Sequence, residues 1–141
     1  MAINPLVEYS DLTGRNVIVT GSTSGIGKGI AIGLANCGAN VMLNGFGDAD
    51  DIEAFRAELA DESGRKIIYS DADLTKVSAI EQMFEYAKQE FGVIHGVVNN
   101  AGVQHVSLIE DFPTEKWDLI IALNLTSAFH TTRLAFADMK A

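Results

Sequence analysis

The chain has 141 residues, with 10 basic side chains against 19 acidic ones, a formal net charge of −9, 48% hydrophobic residues and a single cysteine. This is a single-domain length with an ordinary globular composition, and its acidity repels phosphate backbones and anionic lipid, so no nucleic acid or membrane partner is expected and small soluble ligands remain. The lone Cys37 excludes an internal disulfide and a Cys-rich metal site, and it fits a reducing compartment.

The first eight residues, Met1 to Glu8, carry no basic residue ahead of an apolar stretch and do not read as a secretory signal. Pro5 and the mixed polarity around it give no periodicity, so residues 1–12 are expected to form an N-terminal arm, flexible or packed on the surface. The longest aliphatic run, Leu119 to Leu123, has five residues, against the roughly 20 that a bilayer span requires. A cytoplasmic protein is the expectation.

From Arg15 onward, short β-branched runs alternate with longer segments of helical spacing, the pattern of βαβ units and a parallel sheet. Asn16 to Thr20 reads as the first strand, followed by a glycine-rich turn and a helix with Ile26, Ile30, Leu34 and Cys37 as its apolar face and Gly38 at its end. Asn40 to Asn44 is the second strand. The next helix runs from about Asp50 to near Gly64 with Ile52, Phe55 and Leu59 on one face, and Lys66 to Ser70 is the third strand. Thr75 is expected to cap a helix whose Val77, Ile80, Met83, Phe84 and Ala87 form a stripe that Gly92 stops. Val93 to Asn99 is the fourth strand, and Pro113 and Thr114 open a last helix reaching about Met139. Right-handed crossovers place these strands side by side as 3-2-1-4, a Rossmann-type doubly wound sheet.

Thr20-Gly21-Ser22-Thr23-Ser24-Gly25-Ile26-Gly27 follows a strand and opens a helix, as a dinucleotide fingerprint must. Glycines at 21, 25 and 27 let the chain turn sharply and let a pyrophosphate reach helix amides whose dipole favours an anion. Asn99-Asn100-Ala101-Gly102 falls at the carboxyl end of the fourth strand, where open α/β sheets bind ligands.

The glycine spacing resembles the T-G-x-x-x-G-x-G of the short-chain dehydrogenase/reductases, and Asn99 to Gly102 is similar to that family's N-N-A-G. The resemblance implies an NAD-binding half of such a domain over residues 13–141, with Gly21, Thr23, Gly25, Ile26, Gly27, Asn100, Ala101 and Gly102 at the cofactor. It also implies that Asp73 and Leu74 contact adenine. Asn124, about 24 residues beyond Asn100, matches the family's helix asparagine, a catalytic residue that supports a proton-relay water.

A closer likeness runs through Leu43 to Asp48 and Asn99 to Asn124, to the branch of the family that interconverts (R)-3-hydroxybutyrate and acetoacetate. In that branch a glutamine just past N-N-A-G holds the substrate carboxylate, a place that Gln104 occupies, while His105 reads as structural. The branch uses NAD. The residues agree: neither the strand end Asn44-Gly45-Phe46-Gly47 nor the glycine loop has an arginine or lysine for a 2′-phosphate, and Phe46 is placed to pack near adenosine. The acid that usually bonds the NAD ribose is also missing from that strand end, Asp48 has no assigned role, and Lys28 is the residue that would speak for NADP.

The family's catalytic serine and Tyr-x-x-x-Lys have no counterpart here: four residues after Tyr9, Tyr69 and Tyr86 stand Thr13, Asp73 and Glu90. A tyrosine with no lysine beside it, and a pKa near about 10, is a poor general base at neutral pH. The resemblance therefore covers about half of a family member of roughly 250 residues, and the 141-residue chain alone is expected to be inactive. The alternative reading is an inactive dinucleotide-binding or subunit-interaction module. Ile120, Ile121, Leu125, Ala128, Phe129 and Ala135 give the last helix more apolar surface than such a half can bury, and the family places this helix in a subunit interface. A homo-oligomer, or association through that helix and the uncovered sheet edge, is expected.

Overall fold

The computed structural model describes residues 11–141, so the expected arm at residues 1–12 lies almost wholly outside the described residues. Four strands, β1 (Asn16–Val19), β2 (Asn40–Asn44), β3 (Ile67–Ser70) and β4 (Gly96–Val98), form one sheet in the order β3-β2-β1-β4. Every pairing is parallel, with Val17 opposite Val41 and Gly96, and Val41 opposite Ile67. Three crossover helices connect them: α1 (Gly25–Asn36), α2 (Ala49–Ser63) and α3 (Val77–Phe91). Beyond β4 come a short 3-10 turn (Ile109–Asp111), α4 (Thr114–Ile120), a π-helical segment (Ile121–Thr126) and α5 (Ser127–Lys140). The architecture is a Rossmann-type α/β fold.

Both faces of the sheet are covered, which is why its strands are apolar at successive positions rather than alternating. Val17, Val19, Val41, Leu43 and Ile67 face α1 and α2, where they meet Ala31, Ala35, Phe55 and Leu59. Ile18, Met42 and Ile68 face the other way, onto Ile80, Met83, Phe84 and Ala87 of α3 and Ala135 of α5. The amino ends of the strands are tied by asparagines: Asn16 donates to the Phe91 and Val93 carbonyls, and Asn40 donates to Asn16 Oδ1.

Several elements differ from the sequence reading. The buried face of α1 is Gly27, Ala31 and Ala35, not the predicted face from Ile26, which is 79% exposed. Small side chains let the helix settle close to the sheet, and the larger Ile30, Leu34 and Cys37 sit at its half-buried flanks. Helix α2 starts at Ala49, one residue before the expected Asp50, because the Asp48 carboxylate accepts from the amides of Asp50 and Asp51. Thr75 does not cap α3; Lys76 holds that position without a side-chain bond, and Thr75 is drawn instead to Asp73. Strand β4 is shorter than Val93 to Asn99 because the chain on either side bonds elsewhere: Ile94 donates to Asp138, and the amides of Asn100 and Ala101 donate to Thr20 Oγ1. The single long last helix is broken by the π segment, in which the Ser127 amide donates to the Ala122 carbonyl.

Candidate functional site

At the carboxyl ends of the strands, between the β1–α1 turn and the segment after β4, lies a cleft of about 550 Å³. Its floor is the glycine turn. Gly21 has φ of 62° and Gly25 has φ of 57°, left-handed values that glycine takes without strain. At Gly27 the need is for space: a Cβ there would be driven into the Gly21 carbonyl and the Asn100 side-chain amide. Ser24, the N-cap of α1, makes no side-chain capping bond, so the amides of the first helical turn carry no side-chain cap. Such an end is a ready site for an anion.

Asn100 locks the opposite wall onto that turn. Its Nδ2 donates to the carbonyls of Thr20 and Gly21, each at 3.0 Å, while its own amide and that of Ala101 donate to Thr20 Oγ1, also at 3.0 Å each. The buried Thr20 hydroxyl therefore joins the end of β1 to the end of β4. Asn99 is held from α5 by the Thr131 hydroxyl.

The far end of the cleft is formed by Asp73 and Leu74. Asp73 Oδ1 accepts from the Thr75 amide at 3.0 Å and from the Thr75 hydroxyl at 2.7 Å. These bonds hold its carboxyl below the ordinary carboxylate range, against a small opposing effect of burial, with Lys76 helping at 3.6 Å. Asp73 is thus ionised, an acceptor facing the cleft; Leu74, 5% exposed, anchors the segment in the core. Phe46, 68% exposed, stands at the rim, its carbonyl accepting from Thr23 Oγ1 at 2.9 Å.

Of the residues expected at a cofactor, Gly21, Thr23, Phe46, Asp73, Leu74, Asn100, Ala101 and Gly102 line this one cleft. Gly25 and Gly27 shape the turn beneath it, and Ile26 projects into solvent. Gln104 lies outside the cleft lining, on the exposed chain after Gly102. Asn124 is also outside it, in the π segment, where its Oδ1 accepts from the Val103 amide and its Nδ2 donates to the Val103 carbonyl, both at 2.9 Å. His105 packs edge-on against Phe112 with ring centroids 5.3 Å apart. Lys28 stacks over the Phe55 ring at 4.2 Å from its centroid. The sequence reading did not place Ser24, Asn44, Gly45, Ala72, Thr75, Val103, Leu119 and Leu123 at the cofactor, and these complete the lining. For Asn44 the available signal was a polar residue ending an apolar strand.

A cleft with glycine-shaped amides at its base, an acceptor at one end and an asparagine clamp at the other fits a nucleotide with a bridging pyrophosphate. The family model for short chain dehydrogenases matches residues 15–141, and the chain belongs to that family. Among curated relatives it is similar to the D-beta-hydroxybutyrate dehydrogenase of Cupriavidus necator, 58% identical over 130 residues, which are 92% of this chain and 49% of the relative. The enzyme of the same name from Rhizobium meliloti is 50% identical over 126 residues, 89% of this chain and 49% of the relative. The chain therefore spans about half the length of the curated relatives it matches. Among solved structures, L-sorbose reductase from Gluconobacter frateurii, complexed with NADPH and L-sorbose, superposes with a TM-score of 0.87 at 27% identity, over 93% of this chain and 49% of that one. A short chain dehydrogenase from Burkholderia cenocepacia in complex with NADP gives 0.85 at 27% identity, over 92% and 52%.

Proposed function

We propose that residues 13–141 form the dinucleotide-binding half of an NAD-dependent oxidoreductase that interconverts (R)-3-hydroxybutyrate and acetoacetate. The observation that carries the reading is the single cleft framed by Gly21, Asp73 and Asn100, and the likeness to two hydroxybutyrate dehydrogenases supports the substrate. When bound, the nicotinamide supplies a carbon that accepts or returns hydride. The chain's own work is to hold it. The uncapped first turn of α1 takes the pyrophosphate, Asp73 and the Leu74 segment take adenine, and Asn100 to Gly102 line the side toward the nicotinamide. Gln104 takes the substrate carboxylate. Asn124, pinned to Val103, holds a proton-relay water, and a serine and a tyrosine–lysine pair from outside this stretch of chain complete the chemistry.

NAD is preferred over NADP. The cleft lining among the described residues holds no arginine or lysine; Lys28 is stacked on Phe55, and Lys76 is paired with Asp73. The exposed face of the π segment and α5, with Leu125 63%, Phe129 62% and Phe136 55% exposed, is a contact for a second subunit. A second reading, a module that binds dinucleotide without chemistry, is favoured for these 141 residues by themselves, since no tyrosine among them has a lysine four residues on.

The test is nicotinamide reduction by the longest natural polypeptide containing this sequence, with (R)-3-hydroxybutyrate and either NAD or NADP. Turnover with NAD at least about tenfold more efficient than with NADP supports the proposal. Turnover only with another alcohol, or a preference for NADP, sinks it.

A further inference from the structure

Asn44 is the last residue of β2 and only 1% exposed, yet it is polar and bonds two segments at once. Its Oδ1 accepts from the Gly21 amide at 3.4 Å, in the glycine turn. Its Nδ2 donates to the Ser70 carbonyl at 3.2 Å and the Ala72 carbonyl at 3.1 Å, on the segment that enters Asp73. Its main chain is held as well, the amide donating to Ser22 Oγ at 3.0 Å and the carbonyl accepting from the Ser22 amide at 2.6 Å. The pairing of β2 with β3 ends at Asn44 and Ser70, so the side-chain amide continues the bonding where the ladder stops. The next residue is braced from the same neighbouring strand: Tyr69 donates its hydroxyl proton to the Gly45 carbonyl at 2.7 Å.

We propose that Asn44, backed by the Tyr69 hydroxyl, is a positioning residue that fixes the spacing between the glycine turn and the Asp73–Leu74 edge of the cleft, and so sets affinity for the adenosine half of a dinucleotide. The proposal rests on the dinucleotide reading above. Asn44 does its work through others: the Gly21 turn and the Asp73 segment each hang on one end of the same planar amide. Removing it leaves two carbonyls and an amide to find new partners, and the two walls separate.

The experiment is calorimetric titration with ADP-ribose, the dinucleotide without its nicotinamide ring, alongside thermal unfolding. Asn44→Ala is expected to weaken binding about tenfold or more, and Tyr69→Phe about threefold. Val41→Ala, a core deletion in the same strand away from the brace, is expected to lower the unfolding midpoint while binding stays within about twofold. In Asn44→Asp a carboxylate faces the Ser70 and Ala72 carbonyls; protonation restores one donor, so its affinity rises relative to the native protein as pH is lowered. Asn44→Ala binding as tightly as the native protein, or losing no more than Val41→Ala, overturns the proposal. So does an Asn44→Asp profile parallel to the native one. Should Asn44→Ala not fold, Tyr69→Phe decides, unchanged binding overturning the proposal. Native protein that does not bind ADP-ribose removes the dinucleotide reading itself, and both fall together.

Discussion

Gly27 shows how little freedom the floor of the cleft has, because its missing Cβ is what lets α1 meet the Gly21 carbonyl and the Asn100 amide. Gly27→Ala is expected to abolish measurable NAD binding in calorimetry and to cost about 1–3 kcal/mol in denaturant unfolding, the range for overpacking a tight site. Thr20 belongs to the same joint. Replacing it with Val keeps the shape but leaves the Ala101 amide without its acceptor and the Asn100 amide with the Val98 carbonyl alone, and about 1–3 kcal/mol of stability is expected to be lost. The glycines of this turn were legible in the sequence because only glycine answers a demand for positive φ or for space. Thr20 and Asn44 were not, since a polar residue at a strand end reads equally well as the first residue of a loop until the partner segments, 80 and 26 residues away, are brought beside it.

Strand order followed from right-handed crossovers and the positions of α2 and α3 from spacing, since Ile52, Phe55 and Leu59, and Ile80, Met83, Phe84 and Ala87, are buried on one helix face, while Val77, also read into the α3 stripe, opens the helix 39% exposed. The face of α1 was misplaced because apolar size is a poor guide where a helix packs close to a sheet, and Ala31 and Ala35 fit where Ile26 does not. The π segment carried no proline or glycine to announce it; its one signal was Asn124 between two leucines, whose amide is committed to Val103. The end of α5 is anchored by Asp138, which accepts from the Ile94 amide at 3.0 Å and from Lys88 at 3.3 Å. The Ile94 bond first, then Lys88, holds the Asp138 carboxyl below its usual range against a modest cost of burial. A depressed value in the folded state contributes stability above the unfolded carboxylate value, and that contribution drains away as pH falls through the folded one. Asp138→Asn is therefore expected to lower stability by about 1 kcal/mol at neutral pH, with the difference vanishing in strong acid, as urea unfolding across the acid range will show.

On the scale of the whole molecule, the sheet has two edges, and each edge strand has one partner among the described residues. β3 ends the sheet at one edge; at the other, β4 is bonded among the described residues to β1, and Leu125 of the π segment and Phe129 and Phe136 of α5 are exposed. Exposed aromatic area of that kind marks a contact surface. Phe129→Ser with Phe136→Ser is expected to shift the protein toward smaller species in sedimentation velocity, with the cleft, whose lining includes neither residue, unaffected in NAD titration. The chain spans about half the length of the curated relatives it matches, and the proposed function places a dinucleotide in the cleft built from these residues. The direct test of that claim is to follow backbone amide resonances while NAD is added. Saturable shifts concentrated at Gly21, Thr23, Asp73, Leu74 and Asn100 to Gly102, with α2 and the outer face of α5 unmoved, are what the account predicts. Shifts centred elsewhere, or none at saturating NAD, would contradict it.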